Sequence, residues 1–234
     1  VYQQELNLSA KEKAAIRDAI DNNYLPHNRV YRYNYFYDNC TTRARDILID
    51  NIEGRVSFPG TGQKYPSYRE LIHSFNEDSP WARFGNDLLL GVKADSKTTL
   101  SERQFLPFFL KEDFDKARIT CKDGSTKPLV KRSACITDYP ALRQGSSFPL
   151  RPSTCAWIIF AVVAAMTVLE ITTRKRFWVL DTVLMVLDGC AGIIIFMMFF
   201  SELPATNTNL QVLLLNPLPL FFAYSVTKKA AKGK

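Results

Sequence analysis

Charged side chains are scarce in the last third of the sequence. Between residues 153 and 226 they are limited to Glu170, Arg174, Lys175, Arg176, Asp181, Asp188 and Glu202. A water-soluble domain needs polar and charged groups over most of its surface, so this segment is not an ordinary soluble domain. The mean hydropathy of -0.11 and the 23% of charged residues conceal this asymmetry, because residues 1–152 hold nearly all the other charges.

The same segment consists of three apolar runs, at 153–171, 177–200 and 210–226. A helix crosses the hydrocarbon core of a bilayer with about 20 apolar residues, and about 17–25 are observed. The first two runs meet this length, whereas the third is short and is interrupted by Asn216, Pro217 and Pro219. We predict an α-helical transmembrane domain at 151–234 with about three spans, preceded by a separate domain at 1–150.

Lysine and arginine are absent from the loop between the second and third runs, residues 201–209. Basic residues stand instead in the loop between the first two runs and after the third: Arg174, Lys175, Arg176, Lys228, Lys229, Lys232 and Lys234. Because basic loops stay in the cytoplasm, the C-terminus is predicted to be cytoplasmic and the 1–150 domain to be exported. Export requires a signal peptide, and the sequence begins at Val1 without one, so we expect an N-terminal portion to be missing.

The net charge of +7 comes in part from these membrane-flanking residues. No basic stretch is interleaved with aromatic residues in the manner of a nucleic-acid surface, so the sequence predicts no nucleic-acid partner. The five cysteines and two histidines show no spacing that is typical of a zinc site. We therefore expect neither a metal nor a cofactor.

The 1–150 domain shows both helix and strand patterns. Ser-x-x-Glu or Ser-x-x-Gln boxes and periodic apolar residues predict helices at 9–22, 41–51, 67–75, 79–91 and 101–116. The aromatic run at 31–37 partly alternates and predicts a strand, and residues 119–152 are predicted as β or coil. The domain is therefore predicted to be α+β.

Cys40 stands where the predicted aromatic strand gives way to a helix. The free N–H groups and the dipole of a helix N-terminus stabilise a thiolate, and Arg43 and Arg45 add positive potential. The same N–H groups can hold an oxyanion during acyl transfer, as in papain-like thiol enzymes. A buried structural cysteine, or one half of a disulfide, fits the pattern about equally well.

A thiol nucleophile needs a base, and the sequence has only two histidines. In the helix predicted at 67–75, His73 points away from the apolar face, which indicates a solvent-facing residue, with the role of base as the alternative. His27 lies in a turn between Pro26 and Asn28. The catalytic histidine is thus His73, His27 or a residue outside this sequence.

Cys121 and Cys135 flank a predicted turn at 122–125 of the exported region, where a disulfide is chemically permitted. They are therefore either a disulfide pair or two free thiols. Cys155 and Cys190 lie in apolar runs and are predicted to be packing residues.

Several segments of the sequence resemble a known family. In the 1–150 domain they are YRYNYFYDNCTTRARDIL (31–48), SYRELIH, PWARFGNDLLLGVKAD and FLPFFLKEDFDKA. In the apolar region they are LDTVLMVLDGCAGIIIFMMFFSELP and NTNLQVLLLNPL. These segments are similar to the lipoprotein N-acyltransferases of the Bacteroidota type, and the resemblance extends over nearly the whole chain.

The resemblance implies a permuted NlpC-like, papain-type periplasmic domain, related to lecithin:retinol acyltransferases, on the bacterial inner membrane. It implies that Cys40 takes an acyl chain from a phospholipid as a thioester and passes it to the N-terminal amine of a diacylglyceryl lipoprotein. Asp38, Asn39 and Arg43 would shape the pocket or orient a histidine. In the family a Phe-Gly-His strand precedes the cysteine, and this sequence does not contain it, which fits the expected missing portion.

Two other functions fit the same residues. A membrane-anchored cysteine hydrolase or peptidase of the cell envelope would use the same nucleophile, although it needs no membrane domain of this size. A non-catalytic membrane scaffold fits a chain that lacks its histidine base. The acyltransferase is the function that the sequence favours, with Cys40 as its nucleophile.

Overall fold

The computed structural model describes residues 1–137, 148–175 and 177–232. Its helices are α1 (Ala10–Tyr24), α2 (Cys40–Asp50), α3 (Tyr68–His73), α4 (Pro80–Leu89), α5 (Leu100–Arg103), α6 (Pro107–Lys116), α7 (Pro152–Thr173), α8 (Trp178–Phe199) and α9 (Leu218–Ala231). Its strands are β1 (Tyr2–Leu6), β2 (Arg55–Ser57), β3 (Arg118–Thr120), β4 (Thr126–Pro128) and β5 (Val130–Cys135). Short 3-10 helices occupy Val92–Asp95 and Leu210–Leu213.

The chain divides into two compact units. One contains residues 1–71 and 96–137, and the other contains residues 72–95 and the described residues from 148 onward. In the first unit, β1 pairs with β5 in one antiparallel sheet, and β2, β3 and β4 form another in that order. The core of this unit is a buried cluster of Ile52, Phe114, Ala117, Ile119 and Leu129. The predicted mixture of helix and strand in the exported region is confirmed.

The N-terminus of α1 is held by the predicted capping box. The Ser9 hydroxyl accepts from the N–H of Glu12, and the Glu12 carboxylate accepts from the N–H of Ser9 at 2.7 Å and of Glu53 at 3.0 Å. Burial would raise the pKa of Glu12, but these hydrogen bonds, aided by Lys127, outweigh it and hold that pKa below its ordinary value. The carboxylate therefore joins the start of α1 to the chain beyond α2.

The sequence between residues 99 and 116 forms two helices, so the single helix predicted at 101–116 is wrong. Thr99 caps α5 through Glu102, and α6 begins separately at Pro107. Proline has no N–H to donate, and its ring clashes with the carbonyl four residues earlier, so a helix that includes Pro107 in its interior would break there. Pro107 instead occupies the first position of α6, where it is well tolerated.

The second unit contains the apolar part of the chain. Pro152–Thr173, Trp178–Phe199 and Leu210–Ala231 are each long and apolar enough to cross a membrane, which confirms the three predicted apolar helices. The third segment is not one continuous helix, because the 3-10 helix at Leu210–Leu213 is separated from α9 by a turn that contains Pro217. Pro217 and Pro219 cannot donate backbone hydrogen bonds, which explains the interruption.

Helix α4 belongs to this second unit and is bonded to the loop between α8 and α9. The side chains of Asn209 and Gln211 donate to the carbonyls of Leu88 and Asp87, each at 2.7 Å. The N–H of Gly91 donates to the carbonyl of Ala205 at 2.8 Å. The loop that lacks lysine and arginine is therefore expected on the same side of the membrane as residues 72–95.

Two glycines of α8 lie where this helix contacts α9 and the turn before it. A Cβ atom added to Gly192 would lie between 2.1 and 2.5 Å from three backbone atoms of Asn216, and one added to Gly189 would lie 2.4 Å from Cγ of Leu220. Small residues let helices in a membrane approach closely enough to pack backbone against backbone. The hydroxyls of Thr182 and Thr227 form a hydrogen bond of 2.7 Å between the same two helices.

Replacing Gly192 with alanine is expected to destabilise the protein by about 1–3 kcal/mol, because the backbone of Asn216 has to move. Gly85→Ala in α4 is the matched control, since the space around its Cβ position is open. It should be stabilising by about 0.5–1 kcal/mol, because alanine is the better helix former. The thermal unfolding midpoints of the purified proteins in detergent measure both effects. If both substitutions shifted the unfolding midpoint in the same direction, the close approach of Gly192 to Asn216 would be contradicted.

Candidate active site at Cys40

The aromatic segment before Cys40 is a tight loop, and the strand predicted at 31–37 is wrong. Asn34 and Asp38 bridge each other, with N–H to carbonyl distances of 2.9 and 3.0 Å. The side-chain oxygen of Asn34 also accepts from the N–H groups of Phe36 and Tyr37. Alternating aromatic residues are typical of strands, but here the Asn34 side chain closes a turn through these local hydrogen bonds.

An aromatic cluster holds this loop in place. Phe36 is only 1% exposed, stacks on Tyr68 with ring centroids 4.3 Å apart and meets Phe105 edge-on at 5.6 Å. Tyr35 meets Phe105 in the same edge-on way at 5.6 Å. Burial in this cluster raises the pKa of Tyr68. Each such aromatic pair contributes about 0.5–1.5 kcal/mol beyond the area it buries, so distant parts of the chain fix the loop.

The side chain of Asn39 joins this loop to helix α2. Its oxygen accepts from the N–H groups of Thr41 and Thr42, each at 2.9 Å, which makes Asn39 the N-cap of α2. Its amide nitrogen donates to the carbonyls of Tyr35 at 3.0 Å and Phe105 at 2.9 Å. Asn39 is 3% exposed, and both amide hydrogens and both acceptor positions of the side chain are used.

This cap places Cys40 at the first position of α2, with its side chain exposed. The cap also uses two N–H groups that were predicted to hold an oxyanion, those of Thr41 and Thr42. The N–H of Arg43 bonds to the carbonyl of Asn39 at 3.0 Å. Within the described chain, the N–H of Cys40 itself is the first-turn amide that has no acceptor.

Cys40 heads an apolar groove of about 480 Å³. Helix α2 lines it with residues at helical spacing: Cys40, Arg43, Ala44, Ile47 and Leu48. The other lining residues are Ile20 and Asn23 of α1 and Tyr31 of the aromatic loop. The rise of 1.5 Å per residue puts about 12 Å between the two ends of the α2 wall, Cys40 and Leu48. The groove is therefore an apolar channel that begins at the thiol and follows α2.

Arg43 is fixed beside the groove by two neighbours. Its Nε and Nη2 donate to the two carboxylate oxygens of Asp38 at 2.8 and 3.1 Å, and its guanidinium lies 3.5 Å from the ring centroid of Tyr31. These hydrogen bonds, which Arg43 donates to Asp38, raise the pKa of Arg43. Burial and the nearby Cys40 and Tyr31 raise the pKa of Tyr33. Asp38 therefore neutralises and orients the cation, and the phenol ring of Tyr31 lines the same groove as the thiol.

A second pocket of about 480 Å³ adjoins the groove and shares four lining residues with it, Asn23, Tyr31, Arg43 and Ile47. Its wall is more polar because Asn22, Asn28 and His27 contribute to it. His27 therefore lies in the same unit as Cys40. Neither histidine is among the residues that line the Cys40 groove.

His73 is not the solvent-facing residue that the helix pattern predicted. Its side chain is 16% exposed, and its Nε2 lies 2.7 Å from Oδ1 of Asp87 in α4. The helix pattern failed because the partner comes from another helix, and the periodicity of one helix carries no information about it. His73 and Asp87 both belong to the second unit, whereas Cys40 belongs to the first.

Cys121 and Cys135 are both free thiols, so the predicted alternative of a disulfide is not formed. Cys121 follows β3 and packs against the core cluster, whereas Cys135 ends β5, in the other sheet, and is exposed. Cys155 and Cys190 are also free. Over the described ranges, no group of three or more His, Cys, Asp or Glu side chains is placed to hold a metal ion.

The sequence identified Cys40, Asp38, Asn39 and Arg43 as a group, and the structure places them together at the start of α2. The spacing of Ala44, Ile47 and Leu48 was visible in the sequence as a helix face. That this face lines a groove was not visible, because the packing of α1 against α2 leaves no local signal. Ile20 and Asn23 were missed for the same reason.

An exported domain of mixed helix and strand, followed by apolar helices, defines a membrane protein with a periplasmic N-terminal domain. A family model described as the Lnb N-terminal periplasmic domain matches residues 1–74, and one described as the Lnb transmembrane domain matches residues 143–234. The chain belongs to the Lnb family, whose domains identify a lipoprotein N-acyltransferase-like membrane protein. No curated protein and no solved structure matches it.

Replacing Asn39 with alanine is expected to destabilise the protein by more than about 2 kcal/mol, since it removes an N-cap and leaves buried carbonyls without their donor. Asn39→Asp keeps the acceptor but loses both donors, so it should also destabilise the protein. Ser9→Ala removes an N-cap with no long-range bonds and should cost about 1 kcal/mol. Denaturant unfolding of the purified proteins measures the loss of stability in each variant and tests whether the losses follow this order. A loss for Asn39→Ala no larger than for Ser9→Ala would contradict the role assigned to the two carbonyl contacts.

Proposed function

We propose that this protein is a membrane-bound thiol acyltransferase of the bacterial inner membrane. It moves a fatty acyl chain from a phospholipid, through a thioester on Cys40, to the N-terminal amine of a diacylglyceryl lipoprotein. The observation that carries the proposal is the position of Cys40, at the first residue of a capped helix and at the head of an apolar groove. Membership of the Lnb family supports the same class of reaction.

The reaction proceeds in two steps. The Cys40 thiolate attacks the ester carbonyl of the phospholipid, a carbon–sulfur bond forms, and the ester carbon–oxygen bond breaks. The released alkoxide takes a proton and leaves as a lysophospholipid. The lipoprotein amine then attacks the thioester, loses a proton as the amide forms, and regenerates the thiolate.

Each group at the start of α2 has a part in this reaction. The helix dipole stabilises the thiolate, and the N–H of Cys40 is the donor for the oxyanion, because Asn39 already uses the amides of Thr41 and Thr42. Asp38 holds Arg43 beside the groove. Neither His27 nor His73 lines the groove, so neither is assigned as the base.

The proposed reaction requires Cys40 on the periplasmic side and the C-terminus in the cytoplasm. Two observations support this topology. The loop at 201–209 has no lysine or arginine, whereas basic residues flank the other ends of the apolar helices. The same loop is bonded to α4 of the exported region through Asn209 and Gln211.

Replacing Cys40 with serine in the protein expressed from its complete gene is expected to abolish N-acylation of lipoproteins, since a hydroxyl at this position has no thiolate reactivity. Mass spectrometry of lipoprotein N-terminal peptides measures the third acyl chain. Cys121→Ser and Cys135→Ser are matched controls and should leave it unchanged. The wild-type Cys40 peptide should carry a fatty acyl mass that hydroxylamine removes.

Triacylated lipoprotein at the wild-type level in the Cys40→Ser variant would refute the proposal. A peptide or glycan adduct on Cys40, in place of a fatty acyl group, would favour a cysteine hydrolase of the cell envelope. That outcome would keep the nucleophile and change the substrate.

Replacing Ala44 with phenylalanine is expected to fill the groove one turn beyond the thiol and to reduce the transfer of long acyl chains strongly. Short-chain thioester formation at Cys40 should survive, because the thiol and its cap are untouched. Ala10→Phe, the same change at an exposed position of α1 outside the groove, is the control. Acylation rates with phospholipids of long and short chains measure the effect. Equal losses for both chain lengths would exclude the groove as the acyl site.

A further inference from the structure

Helix α4 of the second unit is amphipathic, and its apolar side is exposed. At 100° per residue, one side carries Trp81, Phe84 and Leu88, the opposite side carries Arg83 and Asn86, and Asp87 lies between the two sides. Trp81 is 38% exposed and Phe84 is 43% exposed, and α4 contains no buried residue. Between the two sides, Asp87 is bonded to His73. The aromatic side is therefore left exposed by the described residues around it.

The exposed side continues beyond the helix. Trp81 meets Phe84 edge-on at 6.0 Å and Phe148 at 5.9 Å, and Phe148 is 60% exposed. We call Trp81, Phe84 and Phe148 the aromatic row. Contiguous exposed apolar groups of this kind mark a surface that binds something other than water.

The N-terminal end of α4 lies beside the start of α7. The indole Nε1 of Trp81 donates to the carbonyl of Leu150 at 2.8 Å, and α7 begins two residues later at Pro152. Two residues span only a few ångströms, so the indole lies close to the level at which α7 begins.

The other end of α4 lies beside the start of the third apolar segment, Leu210–Ala231. The carbonyls of Asp87 and Leu88 accept from the side chains of Gln211 and Asn209, and Asn209 is 1% exposed. Both ends of α4 are thus fixed next to residues at which apolar segments begin.

From these contacts we infer that α4 is an interfacial helix, and that the aromatic row inserts into the periplasmic leaflet at the boundary between head groups and acyl chains. The partner is bilayer lipid. Tryptophan favours this depth because its ring is apolar while its N–H finds an acceptor, as the indole of Trp81 does at Leu150. The inference does not depend on the proposed acyl transfer or on Cys40.

Quenching of tryptophan fluorescence by brominated phospholipids tests this depth. The full chain is placed in phosphatidylcholine vesicles whose acyl chains carry bromine near the carbonyl end or near the methyl end. Trp157→Phe and Trp178→Phe leave Trp81 as the reporter. Two further variants carry Trp81→Phe and move the reporter to Phe84→Trp on the same side or to Arg83→Trp on the opposite side. Arg83 is exposed, so its replacement leaves the fold intact.

Reporters at 81 and 84 are expected to lose most of their fluorescence with shallow bromine and less with deep bromine, while a reporter at 83 keeps most of its signal. No quenching at 81 and 84 would overturn the inference and would mean that protein covers the row. Equal quenching at all three positions would also overturn it, because α4 would then be surrounded by lipid. Unfolding midpoints of the variants confirm that each is folded. None of these outcomes depends on acyltransferase activity.

Discussion

The side-chain amide of Asn39 is the contact on which the candidate site depends. It caps α2 with its oxygen and holds the carbonyls of Tyr35 and Phe105 with its nitrogen. Only an amide offers two donors and two acceptor positions from one planar group of this length. Aspartate and serine are good N-caps, but neither can donate to two carbonyls. The position of Cys40 at the head of the helix therefore follows from the residue before it, and an asparagine is required there for reasons beyond capping.

The amide also couples a local feature to a distant one. Phe105 follows Asn39 by many residues, and its ring packs on Phe36 and Tyr35 while its carbonyl accepts from Asn39. The start of α2, the aromatic loop and the connection between α5 and α6 are therefore stable only together. Such coupling explains how an exposed thiol can be held in a fixed position: the rigid groups lie behind it, and its own side chain remains accessible.

The sequence predicted those features whose cause is local. The Ser9 and Ser67 boxes are satisfied within four residues, and the lengths of the first two apolar runs are a property of the runs themselves. The prediction for His73 failed because a distant partner, Asp87, decided the outcome. The strand predicted at 31–37 failed because the hydrogen bonds of the Asn34 side chain outweighed the alternating pattern. The group around Cys40 was predictable because its members are neighbours in sequence. The groove was not, because part of its wall comes from α1.

The energetics of lipid transfer explain why a groove at Cys40 matters for the proposed reaction. Moving one methylene from an apolar environment into water costs about 0.8 kcal/mol, so an acyl chain lifted from the bilayer to a bare thiol would be strongly disfavoured. A groove of about 12 Å along α2 covers only the part of a long chain nearest its carbonyl. The remaining methylenes must stay in lipid or meet another apolar surface. For the proposed reaction, the substrate therefore confines a thioester enzyme of this design to the membrane surface.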